Sequence, residues 1–246
     1  MYSLKHHFFI IVASSLFLGC GSDNNKSIVP EKPTQVEEVT NQPSDKKNNT
    51  EEAIKTEKRE EPKEVIPSAW KEITEADGIE VEMKYASKDN FMKAKVYDCG
   101  RCFLRPEAVV ILKKINKELS EKHGYRLKVF DCFRPQPYQE RLWKIMPDPD
   151  YVTPPQKGSM HSRGLAVDLT IVDADGDELD MGTPFDFFGE EAHQDYTKHS
   201  EVINENRALL KTTMEKYGFK SIRTEWWHYS YRGKSYPLDA WVWACE

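Results

Sequence analysis

Between Ser159 and Asp168 the chain reads Ser-Met-His-Ser-Arg-Gly-Leu-Ala-Val-Asp, and further on Glu225-Trp226-Trp227-His228 sets a carboxylate and an imidazole three positions apart. His161 falls in a loop-like spacing between Gly158 and Gly164, whereas Asp168 falls inside the apolar run 165–172. A carboxylate buried in an apolar strand is costly unless something compensates its charge, and a metal ion does so. His161, Asp168 and His228 together supply two imidazoles and one carboxylate. Three protein ligands leave the fourth tetrahedral position open, which is the arrangement of catalytic rather than structural zinc. Glu225, held among large aromatics that exclude water, is then free to act as general base on a water at that position. Each fragment alone is weak: a His–Asp pair is commonly a structural ion pair, Glu-x-x-His recurs on many surfaces, and tryptophans fill cores. Of the 7 histidines, however, His6 and His7 precede an apolar leader, His123 sits at a helix end, and His193 and His199 lie in a polar stretch. His161 and His228 are what remains.

The elements that must carry these groups read as α+β. Ala108, Leu112, Ile115 and Leu119 recur at helical spacing, Pro106 suits a first turn, and Gly124 ends the run. Residues 125–132 alternate as a strand, with Tyr125, Leu127 and Val129 on one face. Arg134-Pro135-Gln136-Pro137 breaks it, and 138–146 reads as helix. Residues 165–172 form a second strand, followed by a turn at Asp175-Gly176 leading to Leu179 and Met181. Ile203, Leu210, Met214 and Tyr217 mark another helix closed by Gly218, and the aromatic stretch 219–231 reads as a third strand. The expectation is a small mixed or antiparallel sheet with helices packed on it, without internal repeats. The acidic run Asp173 to Asp180 resembles a calcium loop at first sight. Its glycine is misplaced and Pro184 stands where a bidentate Glu belongs, so it reads as a hairpin turn.

Composition divides the chain into three parts. With 35 Lys+Arg against 41 Asp+Glu, a net charge of −6 argues against nucleic acid as the main partner. A mean hydropathy of −0.71 excludes a polytopic membrane protein. Residues 1–20 carry Lys5 ahead of an apolar run that is short for a membrane span and fits a signal peptide. The run stops at Gly19-Cys20, as in a bacterial lipobox, with Phe17 standing where Leu is usual. Cys20 is then the lipidated first residue of an envelope lipoprotein, anchored to a membrane that it does not span. Residues 21–66 hold no aromatic and read as a disordered polar tether, about 35–40 Å across as a random coil. Residues 67–246 form the domain, which contains every Trp. Cys99, Cys102, Cys132 and Cys245 make an even set suited to an oxidising compartment, with the pairing open.

The motif Ser-x-His-x-x-Gly-x-Ala-x-Asp followed by Glu-Trp-Trp-His resembles the zinc D-alanyl-D-alanine dipeptidases of the vancomycin-resistance type. The likeness runs from about residue 85 to 236. It takes in Asn90-Phe91, Asp131-Cys132-Phe133-Arg134-Pro135 and Met181-Gly182-Thr183-Pro184-Phe185-Asp186-Phe187. The resemblance implies the hedgehog/D-Ala-D-Ala peptidase-like fold and one zinc per chain on His161, Asp168 and His228. It implies Glu225 as catalytic base, Arg134 as the transition-state arginine, and Tyr97, Ser159 and Asp186 as pocket residues. Zinc and a guanidinium stabilise the oxyanion that develops when water attacks a peptide carbonyl. Asp186 suits the substrate ammonium, and the Ser159 hydroxyl its carboxylate. The expected reaction is hydrolysis of D-Ala-D-Ala. The alternatives are a D,D-carboxypeptidase or endopeptidase on longer wall peptides, or a non-catalytic wall-binding lipoprotein. The last would need neither Glu225 nor Arg134. The leader, tether and cysteines depart from the soluble members of the family. Export favours turnover of wall-derived dipeptides over antibiotic resistance.

Overall fold

The computed structural model describes residues 64–149 and 151–245. Cys20, the leader 1–20 and nearly all of the expected tether lie outside the described residues. Glu64, within that tether by expectation, is already tied to the domain. Its carboxylate accepts from the Ala244 amide at 2.7 Å and pairs with Arg101. Contacts with the domain thus begin before residue 67. No helix among the described residues is long and apolar enough to cross a membrane.

Among the described residues the order is β1 (Lys71–Ile73), β2 (Glu80–Val81), β3 (Cys102–Leu104), α1 (Pro106–His123), β4 (Arg126–Asp131), α2 (Gln136–Ile145), β5 (Ala166–Val172), α3 (Glu201–Lys216), β6 (Phe219–Ile222) and β7 (Glu225–Tyr231). The five-stranded sheet runs β2-β4-β5-β7-β6, parallel between β2 and β4 and antiparallel elsewhere, and β1 pairs with β3 in a separate two-stranded sheet. This is the mixed α+β architecture that the sequence pattern predicts.

Local chemistry accounts for the main elements. In α1, Pro106 occupies the first turn, where its missing N–H costs nothing. Ala108, Leu112, Ile115 and Leu119 are buried, and Gly124 closes the helix at φ 73°. Asn116 on α1 accepts from the Leu127 amide and donates to the Gly78 carbonyl, locking the helix to β4. Every residue of β5 is buried, as expected of a strand covered on both faces. In α3, Ser200 caps the N-terminus by accepting from the Ile203 amide. Buried Arg207 on α3 donates to the carbonyls of Met181, Glu191 and His193, and so holds the long connection between β5 and α3.

Two expectations are corrected. The stretch 219–231 is a hairpin of two strands, β6 and β7, rather than one strand. Helix α2 begins at Gln136, two residues early, because Pro137 is accommodated within its first turn. The cysteines of Cys99-Gly-Arg-Cys102 do not pair with each other: Cys99 bonds Cys245, and Cys102 bonds Cys132. The first bond pins the C-terminal segment, whose Trp241 and Trp243 pack on Phe103, Phe133 and Trp70. Trp70 in turn stacks on Phe133 with centroids 3.7 Å apart.

Candidate active site

The register of the large sheet sets a row of polar residues across three strands. Asp131 on β4 lies opposite Asp168 on β5, and Asp168 lies opposite His228 on β7. A register shift between Val129 and Asp131 re-aims the end of β4 at this point. His161 reaches the row from a 3-10 turn, His161–Arg163, that ends at Gly164 with φ 72°. A Cβ there would lie 2.2 Å from the Trp70 ring, so both backbone sign and space demand glycine between the two ligands.

The ring nitrogens are sorted by their neighbours. Nδ1 of His161 lies 2.7 Å from the Cys132 carbonyl, which can only accept, so that nitrogen carries the proton. Its Nε2 therefore presents a lone pair in the neutral ring, 3.3 Å from Asp168 Oδ1 and 3.1 Å from His228 Nδ1. His228 Nδ1 is 2.9 Å from the same carboxylate oxygen, while its Nε2 is 3.0 Å from Ser230 Oγ. When a metal takes the His228 Nδ1 lone pair, Nε2 carries the proton and donates to Ser230, and the three ligand atoms converge on one point. Bonds of 2.0–2.1 Å to a tetrahedral ion would set such ligand atoms about 3.3 Å apart, close to the spacing seen. The residues present therefore fit a metal ion, with an outer partner for each imidazole. Burial opposes ionisation of Asp168, yet the two imidazoles hold it well below the usual carboxylate range. The His161 ring is disfavoured as a cation by burial, but Asp168 and Asp131 outweigh this and raise its proton affinity.

Glu225 opens β7, and its Oε2 lies 3.9 Å from His228 Nδ1. Burial raises its pKa, and Asp168 adds to the effect against opposition from the imidazoles and Arg134. Arg134 follows β4 and is buried. It donates to Asp131 from Nε at 3.1 Å and from a terminal nitrogen at 2.5 Å, and to Gln139 at 3.2 Å. Burial works against its charge, but Asp131 more than compensates and keeps the guanidinium firmly ionised. Tyr97 is fully buried behind Arg134, donating to Asp131 at 2.6 Å and accepting from Arg134 Nε at 3.2 Å.

These groups face a cavity of about 220 Å³, whose wall includes Tyr85, Arg134, Ser159, His161, Asp168, Asp186, Glu225, Trp227 and His228. Asp186 has φ 60°, in the left-handed region, which aims its carboxylate at the Tyr85 hydroxyl 3.0 Å away. Burial and the charge of Asp168 push its pKa well above normal, against the Tyr85 hydrogen bond and Arg134. Ser159 Oγ accepts from the Ser162 amide at 3.3 Å, which leaves its hydroxyl proton available to donate. Phe91, Tyr151 and Phe188 form an aromatic rim, with ring centroids 4.8 Å apart at each contact with Phe188.

The structure thus gathers His161, Asp168, His228, Glu225, Arg134, Ser159 and Asp186 at one cavity, and places Tyr97 beneath it. The tyrosine on the wall is Tyr85. Asp131 is the member that residue spacing does not single out. Its signal is a carboxylate ending an apolar strand three residues before an arginine, the same oddity that marks Asp168.

Fold and site together define a candidate mononuclear metal centre at one end of a largely antiparallel sheet, with acid–base groups beside it. A family model described as D-ala-D-ala dipeptidase (Peptidase_M15) matches residues 70–242. The chain is 39% identical over 168 residues to a D-alanyl-D-alanine dipeptidase of Escherichia coli (strain K12), covering 68% of this chain and 86% of that protein. It is 36% identical over 182 residues to a D-alanyl-D-alanine dipeptidase of Enterococcus faecium, covering 65% and 89% respectively. A D-alanyl-D-alanine dipeptidase of Enterococcus faecalis (strain ATCC 700802 / V583) is 32% identical with the same coverage. The chain therefore belongs to the D-ala-D-ala dipeptidase family of M15 metallopeptidases.

Proposed function

We propose that this protein is a zinc-dependent D,D-dipeptidase that hydrolyses D-Ala-D-Ala in the cell envelope, held to a membrane by a lipid on Cys20. The observation that carries the reading is the convergence of His161 Nε2, Asp168 Oδ1 and His228 Nδ1 within 3.3 Å of one another, with Glu225 beside them. Two imidazoles and a carboxylate suit zinc, which when bound polarises a carbonyl and lowers the pKa of water.

The chain's own residues supply the rest. Glu225, whose raised pKa brings it nearer to neutrality, takes the proton of the attacking water and returns it to the leaving amine. Arg134 stabilises the negative charge that develops on the carbonyl oxygen, and its pairing with Asp131, Tyr97 and Gln139 fixes it in place beforehand. Asp186 holds the substrate ammonium, and Ser159 assists at the carboxylate. The aromatic rim and Trp227 exclude water, which strengthens each of these interactions. A cavity of about 220 Å³ lies below the range of roughly 300–1,000 Å³ typical of drug-sized ligands and suits a dipeptide.

The test is release of the C-terminal alanine by the purified, zinc-loaded protein from D-Ala-D-Ala, L-Ala-L-Ala and an N-acylated D-Ala-D-Ala peptide. The reading requires release from the free D,D-dipeptide. Release from the acylated peptide alone would replace it with a D,D-carboxypeptidase acting on longer wall peptides. Zinc-containing, folded protein inert on all three would refute it.

A further inference from the structure

Side chains alternate along a strand, so the face that carries His228 and Ser230 continues to Arg232, one residue past the end of β7. Arg232 lines the same cavity as the metal ligands and Glu225. Four residues of extended chain place its Cα about 13 Å beyond that of His228, away from the metal ligands but still on the cavity wall. Among the described residues it has no hydrogen-bond or ion-pair partner. The other guanidinium of the cavity is differently placed: Arg134 is bound by Asp131 through two nitrogens and by Gln139 and Tyr97.

A free dipeptide brings one ammonium and one carboxylate. The cavity offers Asp186 for the first, whereas Asp168 is committed to the metal site and Glu225, its other acidic group, repels the second. Ser159 brings no charge, and the charge of Arg134 is balanced by Asp131. That leaves Arg232, whose planar fork matches a carboxylate and whose open position lets it bind one without first breaking an internal pair.

We propose that Arg232 is a specificity-determining residue that binds the free α-carboxylate of the substrate's C-terminal residue, so that the enzyme requires an unblocked C terminus. The proposal rests on the peptidase reading above. An arginine that merely decorates the surface would treat a carboxylate and a carboxamide alike.

The experiment compares the zinc-loaded parent with Arg232→Ala and Arg232→Lys on D-Ala-D-Ala and on D-Ala-D-Ala amide, which has the same scissile bond and no carboxylate. Zinc content and melting temperature serve as folding controls, and the exposed position of Arg232 makes both substitutions structurally mild. The parent is expected to prefer the free acid. Arg232→Ala should lose about 30-fold in kcat/KM on the free acid, mainly through KM, and less than about 3-fold on the amide. Arg232→Lys should recover part of the loss, since it restores the charge without the fork. Equal losses on both substrates, or none on either, with an active parent would overturn the assignment. A parent inert on both would overturn the peptidase reading itself, and this inference with it.

Discussion

The Cys102–Cys132 bond joins β3 to the end of β4, and the same Cys132 carries the carbonyl that accepts from His161. Replacing both cysteines by alanine should lower stability while sparing the site. The site survives because the Phe133 amide still donates to the Phe103 carbonyl at 2.9 Å, holding the two segments in register without the covalent link. The cost therefore falls on the unfolded chain. Its cysteines are 30 residues apart, and loop closure over that span stabilises the folded state by about 3.7 kcal/mol. For a domain of about 180 residues the unfolding entropy converts this to a melting temperature lower by roughly 10 °C. Cys99 and Cys245 are 146 residues apart, so removing that bond should cost about 5 kcal/mol and roughly 13 °C. Calorimetry of the zinc-saturated parent and the two double variants, with D-Ala release measured on each, tests both the sizes and their order. Melting temperatures within about 2 °C of the parent, or a larger loss for the shorter loop, would refute the loop-closure reasoning. Loss of activity in folded, zinc-containing Cys102→Ala/Cys132→Ala protein would refute the claim that the backbone alone positions Cys132.

Three further expectations follow from single side chains. Asp131→Ala leaves the buried Arg134 charge without its partner and should cost about 3–5 kcal/mol in urea unfolding; a loss under about 1 kcal/mol would contradict the buried-pair description. Ser230→Ala removes the group that orients His228, and competition with a chromophoric chelator should show zinc affinity weakened about 10–100-fold; unchanged affinity would show that Ser230 does not orient the ring. Gly164→Ala forces a left-handed residue against the Trp70 ring and should destabilise the protein by about 2–4 kcal/mol; a melting curve that superimposes on the parent's would contradict the close approach.

What the sequence reveals and what it hides divide along physical lines. The metal ligands are legible because imidazole and carboxylate in apolar or glycine-flanked settings have few other uses, and α1 because its apolar period and its Pro and Gly boundaries agree. The β6–β7 hairpin is obscured because Arg223-Thr224 carries no Gly, Asn or Pro at the turn, so the aromatic pattern runs on through it. Strands β1 and β2, of three and two residues, are too short to leave a period. The tyrosines differ only in tertiary setting: Tyr97 and Tyr85 both contact the Arg134 guanidinium, but only Tyr85 lies on the cavity wall. The role of Asp131 is hidden because two of its partners, Tyr97 and His161, come from other parts of the chain, and disulfide pairing is equally a property of the fold. The unusual backbone at Asp186 is invisible for the same reason, since nothing adjacent announces a left-handed aspartate.

The central claim is that one zinc on His161, Asp168 and His228 works together with Glu225. It is tested most directly by measuring D-Ala release and metal content together for the parent, the chelated parent and Glu225→Ala. Chelation should abolish release and one equivalent of zinc should restore it, while Glu225→Ala should keep its zinc and lose about 10³-fold in kcat. Full activity in the metal-free protein, or a zinc-loaded Glu225→Ala within about tenfold of the parent, would contradict it.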